Sequence, residues 1–562
     1  MVEALLESGG QEVVVTENGS SRAGTSTESA LKIGQIMSDN SNLTPIQRFY
    51  AGQSVFITGA TGFLGRLLVE KLLRSCPGIS NVYLLVRPKK GKAPHERAEE
   101  IFDEPLFDRL KEEQPKFRHQ IVAIEGDCSL PGLGISEIDR TTLINEVSII
   151  FHVAATVKFN EKIKLAVSIN VHGVRDMITL SKTMTKLKSF VHVSTAYAHC
   201  TRNPIEEKLY DPPIDADKLI TMMQCTDDHL ADAITPQILG KWPNTYSYTK
   251  AVAENIVQKE AANIPICVFR PAIVVSTYQE PVKGWINNMY GPTGVAAGAA
   301  SGLLHTLYCD GSVQANVVPA DMTVNAMISA AWDIVDINRN NPESNEIPVY
   351  NYVSKDNPIT YNDLAGMTSK YGIEYPTSKA IWYYSFTLNK YKLINLLYVY
   401  FLHLLPAVVI DTVTVCVGKQ ASLLKVYKKI HKFMDVLSYF STQEWDFSND
   451  HVNAMHNKLT DDDRKKFFFD IKALAWDTYF QNYFKGIRVY LIKDPPDTLP
   501  MARVKWQRYD DQSTAMRLID ELIESFCQFF RLYWIHQAFK LLIAYVLLRV
   551  AWAIVSALIP LA

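Results

Sequence analysis

A chain of 562 residues with 48% hydrophobic and 21% charged side chains has room for two or three domains with substantial cores. Its 26 Gly and 26 Pro, together about 9% of the chain, exclude collagen-like and most low-complexity architectures. With 57 basic residues against 59 acidic ones the formal net charge is −2, so no global field recruits nucleic acid.

The eight cysteines, at 76, 128, 200, 225, 267, 309, 416 and 527, include no C-x-x-C pair. That argues against a zinc ribbon or a disulfide framework and for reduced thiols in a cytosol-facing body. Residues 1–45 are rich in Gly, Ser, Thr, Asn and Glu and lack apolar periodicity, which reads as a disordered arm. No basic stretch followed by an apolar run opens the chain, so no cleavable secretory signal is expected.

Residues 54–57 (SVFI) form a short apolar run, followed by Thr58, the turn TGATGFLG and the helical pattern RLLVEKLLRSC. Strand, glycine turn and amphipathic helix in that order make a phosphate-binding unit. Gly59 permits the tight turn, Gly62 lets backbone approach a pyrophosphate, and Gly65 lets the helix pack close to the strand. The next strand, NVYLLV (81–86), ends at Arg87, with Lys89 and Lys90 beyond. A basic residue there suits the 2′-phosphate of NADPH, whereas an acidic one would suit NAD; the same residues could also form a solvated loop.

A third strand, IVAIEGD (121–127), brings Asp127 towards an adenine edge. VSIIFHVAA (147–155) reads as a strand buried on both faces, and FVHVS (190–194) and ICVFR (266–270) continue the alternation. The fold class is therefore α/β, a doubly wound parallel sheet.

Ser194 and Thr195 stand at the C-terminal end of their strand, where ligands bind in open α/β sheets. In TYSYTK (245–250), Tyr246 and Lys250 lie one helical turn apart and can face one cleft. A cation beside a phenol stabilises its phenolate, which suits Tyr246 to proton transfer. A hydroxyl of Thr195 or Ser194 can polarise a substrate carbonyl. His152, His192 and His199 form no metal-ligand spacing and are expected to be packing or solvent residues; no metal is assigned.

Further along, residues 393–410 (LINLLYVYFLHLLPAVVI) are apolar but hold Asn395, His403 and Pro406. They could lie in a membrane interface, form a buried helix pair broken at Pro406, or cross a bilayer. The aromatic run 467–469 and Trp445 and Trp476 read as core, and DDDRKK (461–466) as a helix start with acidic residues first. Residues 541–562 are long and apolar enough to cross a bilayer of ~30 Å despite Arg549, with the aromatic stretch 526–534 at headgroup level.

Over residues ~50–330 the chain resembles an extended short-chain dehydrogenase/reductase. TGATGFLG matches the TGxxGxxG turn of that family, HVAATVKF its fourth strand and YSYTK its catalytic helix. Asn170 in INVHG is similar to the structural asparagine of extended members, and FRPAIV (269–274) to the strand beside the nicotinamide. The resemblance implies a cofactor site formed by Thr58, Gly59, Thr61, Gly62, Phe63, Leu64, Gly65, Arg87, Asp127, Ala154, Ala155, Lys250 and Pro271. It implies a catalytic set of Tyr246, Lys250, Thr195 and Ser194.

GWINNMYGPTG (284–294), VPADMTVNAM (318–327), YFSTQEWDFSNDH (439–451) and residues 463–494 are similar to alcohol-forming fatty acyl-CoA reductases, the male-sterility-type branch. That resemblance implies reduction of acyl-CoA by two NADPH to a fatty alcohol and free CoA. The implied organisation is an arm (1–45), a Rossmann domain (46–370), a mainly helical carboxyl domain (371–510) and a membrane-anchoring tail (526–562). The expected location is the endoplasmic reticulum membrane with the body in the cytosol, or alternatively a lipid droplet or peroxisomal membrane. Two rivals are a membrane-bound steroid or sugar-nucleotide dehydrogenase or epimerase, and a catalytically inactive lipid-binding scaffold. The first usually wants an acidic residue where Arg87 stands, and the second usually lacks the tyrosine or lysine.

Overall fold

The structure, a computed structural model, describes residues 43–88, 91–340, 346–381, 384–418, 420–510, 537, 539–550 and 552. Residues 1–42 of the arm, Lys89, Lys90 and most of the 526–562 tail lie outside the described residues.

The described residues include eleven strands: β1 (Ser54–Thr58), β2 (Asn81–Val86), β3 (Ile121–Glu125), β4 (Ile149–His152), β5 (Ser189–Val193), β6 (Ile266–Pro271), β7 (Ile273–Val275), β8 (Thr306–Tyr308), β9 (Val317–Pro319), β10 (Val349–Tyr352) and β11 (Thr387–Asn389). Seven form one sheet in the order β10-β6-β5-β4-β1-β2-β3, every pairing parallel. The chain runs outward from β1 on one side and then restarts at β4 on the other. The crevice beyond the carboxyl ends of β1 and β4 is thus the switch point where such sheets bind ligands. Two short parallel pairs, β7–β9 and β8–β11, stand outside this sheet.

Alternation along β1 shows why the sheet is buried on both faces. Val55 and Ile57 join one apolar cluster, while Phe56 joins the other. The first cluster also takes in Trp445, Phe447, Phe467, Phe469, Tyr479 and Phe480, so the carboxyl helices pack directly on the sheet domain. Trp476 is partly buried and donates its indole N–H to the side-chain oxygen of Asn357 at 3.0 Å. The acidic-first helix Asp461–Lys466 begins at Thr460, whose hydroxyl accepts the N–H of Asp463.

Two elements differ from their sequence reading. The strand expected over 147–155 is only Ile149–His152. Its last residue, His152, is in register with Thr58 of β1 and His192 of β5, and on the β1 side the neighbouring strand ends there as the chain turns away at Gly59. Residues 392–416 form one continuous helix rather than a pair broken at Pro406. A π turn at Val399–Leu404 precedes the proline and widens the helix where the missing N–H and the pyrrolidine ring would otherwise clash. Among the described residues this is the one helix long and apolar enough to cross a membrane, by length and composition.

Candidate active site

The glycine turn closes on itself before the helix Phe63–Ser75 begins. Gly59 has φ +74°, and a Cβ there would lie 2.7 Å from the Ala154 nitrogen. Gly62 donates its N–H to the Gly59 carbonyl at 2.9 Å and caps the helix with no side chain. A Cβ on Gly65 would run into the Gly59 carbonyl oxygen. The result is a helix start with free N–H groups and no side chain over them, which fits a pyrophosphate.

This cradle is one end of a cavity of about 1030 Å³. Thr61, Phe63, Leu64, Arg87, Asp127, Ala154, Ala155 and Pro271 line it, together with the three glycines. The Arg87 side chain is 56% exposed, and its guanidinium lies 3.8 Å from the Asp127 carboxylate. It stands half-exposed at the rim, its positive charge loosely paired with Asp127. Thr58 departs from expectation: it is fully buried and absent from the cavity wall. Its Oγ1 accepts the Ala154 N–H at 3.2 Å and pairs with His152 Nδ1 at 2.8 Å, so it fixes the cavity floor from beneath.

At the middle of the cavity stand Thr195, Tyr246 and Lys250. Asn244 caps the helix Thr245–Glu260 by accepting the Ser247 N–H at 2.8 Å, which sets Tyr246 in the first turn. Burial pushes the Tyr246 phenol up to about 12, and its hydrogen bond with Thr195 works the other way. One turn later Lys250 is 2% exposed and donates to the Val193 carbonyl at 2.7 Å. Burial brings its ammonium down to about 8, and the nearby Glu254 carboxylate opposes that shift. Asn170 ties the site together. Its amide accepts the Thr156 N–H at 2.9 Å and donates to the Thr249 hydroxyl at 3.0 Å, joining the loop after β4 to the Tyr246 helix.

Ser194 and Thr195 have separate jobs. The Thr195 hydroxyl oxygen accepts the Tyr197 N–H at 3.3 Å and meets Tyr246 in the cavity. Ser194 instead donates to Glu254 at 2.6 Å. Glu254 also accepts from Arg270 at 2.6 and 2.9 Å and pairs with His199 at 3.0 Å. Burial works to raise the Glu254 pKa, but Arg270 and His199 hold its carboxyl far below the usual range. This buried network was not legible from motifs, although a charged residue inside the apolar strand ICVFR signals a hidden partner.

The far end of the cavity is apolar and was also missed. Phe159 lies 5.9 Å from Tyr246 and 5.9 Å from Phe440, ring centroid to ring centroid. Beyond Phe440 the wall continues through Val295, Leu307, Leu364, Phe386, Leu388 and Leu437. These residues come from five separate elements and the loop before β11, and no linear pattern announces them. The arrangement joins a glycine cradle, a buried tyrosine phenol and an apolar arm in one continuous space. His152 and His192 stack in the sheet core at 5.7 Å, away from any cluster of metal-ligating groups among the described residues.

Comparison with known proteins agrees with this construction. Two family models, both described as male sterility protein, match residues 57–327 and 402–494. The chain is 44% identical over 479 residues to fatty acyl-CoA reductase wat of Drosophila melanogaster, covering 84% of this chain and 91% of that one. It is 39% identical over 462 residues to fatty acyl-CoA reductase 1 of Homo sapiens, covering 82% and 89% respectively. Among solved structures, the reductase domain of a nonribosomal peptide synthetase from Mycobacterium tuberculosis aligns with a TM-score of 0.52 at 19% identity, covering 79% of this chain and 94% of that one. The terminal reductase domain of the myxalamid pathway aligns with a TM-score of 0.52 at 18% identity, covering 78% and 91%. Those two likenesses concern the fold. With the nucleotide cradle, the tyrosine–lysine helix and the apolar arm in one cavity, and relatives of this identity along most of its length, the chain belongs to the fatty acyl-CoA reductase family.

Proposed function

We propose that this protein reduces long-chain or very-long-chain fatty acyl-CoA to the primary fatty alcohol with NADPH, releasing CoA through an aldehyde-level intermediate. The observation that carries the proposal is the continuity of the cavity, from the glycine cradle past Tyr246 to the apolar arm behind Phe440. Each methylene of an acyl chain withdrawn into such an arm is worth ~0.8 kcal/mol, so the arm favours long chains.

The nicotinamide, when bound, supplies hydride. The residues supply the rest. Thr195 and Tyr246 hydroxyls face the space where the thioester oxygen would sit, and they stabilise the charge that develops there. Tyr246 is protonated at neutral pH, as a donor must be, and passes its proton to that oxygen. The Lys250 ammonium stabilises the phenolate left behind. The hemithioacetal hydroxyl then returns its proton to the Tyr246 phenolate as the C–S bond breaks and the CoA thiolate leaves, which restores the phenol. The resulting aldehyde meets the same two hydroxyls for a second reduction.

NADPH rather than NADH is supported by the half-exposed Arg87 guanidinium at the cavity rim just after β2. The proposed site of action is the cytosolic face of the endoplasmic reticulum membrane, held there by the C-terminal tail. In its described part, residues 539–550 are helical, with Leu541 and Leu548 exposed at 71% and 69%. The proposal is tested by giving the membrane-embedded protein palmitoyl- to hexacosanoyl-CoA with either cofactor and following free thiol and lipid products. Thiol release with alcohol formation from NADPH is expected. NADPH binding without reduction of any acyl-CoA would shift the substrate to another carbonyl compound.

A further inference from the structure

The chain leaves the body after β11 along the Lys392–Cys416 helix and returns along the helix Leu423–Ser441. Four hydrogen bonds zip the two arms into an antiparallel hairpin. His403 Nδ1 meets His431 Nε2 at 3.0 Å, and near the tip the Asp411 carboxylate accepts the N–H groups of Ser422, Leu423 and Leu424 at 2.9–3.1 Å. At the root Asn395 accepts from Thr306 of β8 at 2.8 Å, and the Asp310 N–H donates to the Ser441 carbonyl at 2.9 Å. Departure and return are therefore on the same side.

The outgoing helix exposes Leu393, Leu396, Tyr400, Val408, Val409 and Val413, each between 47% and 71%. The returning helix carries Lys425, Lys428, Lys429 and Lys432, all exposed and spaced to form one stripe. Its other face, with Ile430, Met434 and Leu437, packs against the core. A helix with four lysines along its length is no membrane crossing. Since the return is not a span, the outgoing helix cannot be one either, whatever its length and composition.

We infer that this hairpin is a lipid-docking element confined to one leaflet. Its apolar stripe enters the acyl region of the leaflet facing the body, and its lysine stripe sits at acidic headgroups. Leu388, Leu437 and Phe440 at its root line the apolar arm of the cavity, so the arm and the leaflet share one wall. That this wall passes acyl chains rests on the acyl-CoA reading above, whereas the docking itself does not.

The test uses the full chain with Cys225, Cys416 and Cys527 replaced by serine, since the remaining five cysteines are buried. It is reconstituted body-outward in sealed vesicles of about 4:1 phosphatidylcholine to phosphatidylserine. A cysteine at Ser422 should react with an external impermeant maleimide equally before and after permeabilisation. A fluorophore on a cysteine at Val409 should be quenched by nitroxide-bearing lipids. Labelling at 422 only after permeabilisation would mean a crossing and would overturn the inference, as would an unquenched fluorophore at 409. A separate arm tests delivery: Val409→Glu with Val413→Glu should raise KM for vesicle-borne palmitoyl-CoA by about fivefold or more, leaving soluble octanoyl-CoA unaffected. Equal KM values for both enzymes would overturn delivery through the hairpin, and absence of any acyl-CoA turnover would fall on the proposed function, leaving the labelling result to stand.

Discussion

In the proposed mechanism Lys250 must be an ammonium to stabilise the Tyr246 phenolate, and burial brings its pKa to about 8. The sign is fixed by which form acts: the charged form dominates below that pH and is lost as pH rises through it. For a single group at about 8, the charged fraction is about 0.9 at pH 7 and about 0.1 at pH 9. The value of kcat/KM for NADPH, which reports the groups of the free enzyme, should therefore fall about tenfold across that interval. The assay is initial NADPH oxidation with saturating palmitoyl-CoA from pH 6 to 10, repeated for Lys250→Met and Lys250→Arg. The methionine variant should be slow at every pH and show no alkaline limb. Arginine keeps its charge throughout, so whatever rate that variant retains should also lack the limb. A flat profile for the native enzyme between pH 7 and 9, or a limb surviving in Lys250→Met, would refute the assignment.

Further outcomes follow from the same geometry. Tyr246→Phe should abolish turnover while cofactor binding, followed by fluorescence titration, stays nearly intact; a rate above about a tenth of native would remove Tyr246 from proton transfer. Arg87→Glu should weaken NADPH far more than NADH, and equal losses would show that Arg87 does not read the 2′-phosphate. Glu254→Leu strands the Arg270 guanidinium, both groups being fully buried, and should cost about 3–5 kcal/mol in urea unfolding. Adding Arg270→Met should recover at least half of that loss, and simple additivity of the two changes would contradict the pairing.

Local signals carried most of the fold. β2 spans Asn81–Val86, as its apolar run indicates, and the glycine turn sits between β1 and its helix as the motif requires. Such features are written in neighbouring residues. What escaped the sequence depends on contacts between distant ones. β4 stops at His152, level with the end of its neighbour β1 at Thr58, and nothing within VSIIFHVAA records that. Four residues at Val349–Tyr352 become a sheet strand only because β6 offers a free edge. Adjacent hydroxyls at 194 and 195 look equivalent in sequence, and both border the cavity, yet Ser194 is taken up by Glu254 while Thr195 meets Tyr246. The apolar arm is assembled from side chains hundreds of positions apart. The helix at Pro406 stays continuous through a π turn that no residue pattern announces.

In the proposed reaction one cavity carries an acyl group through two successive reductions. The most direct measurement is the ratio of NADPH oxidised to CoA released, with the lipid product identified in the same reaction. Two NADPH per CoA, with fatty alcohol as product and little free aldehyde, is the predicted result. One NADPH per CoA with accumulating aldehyde would contradict it.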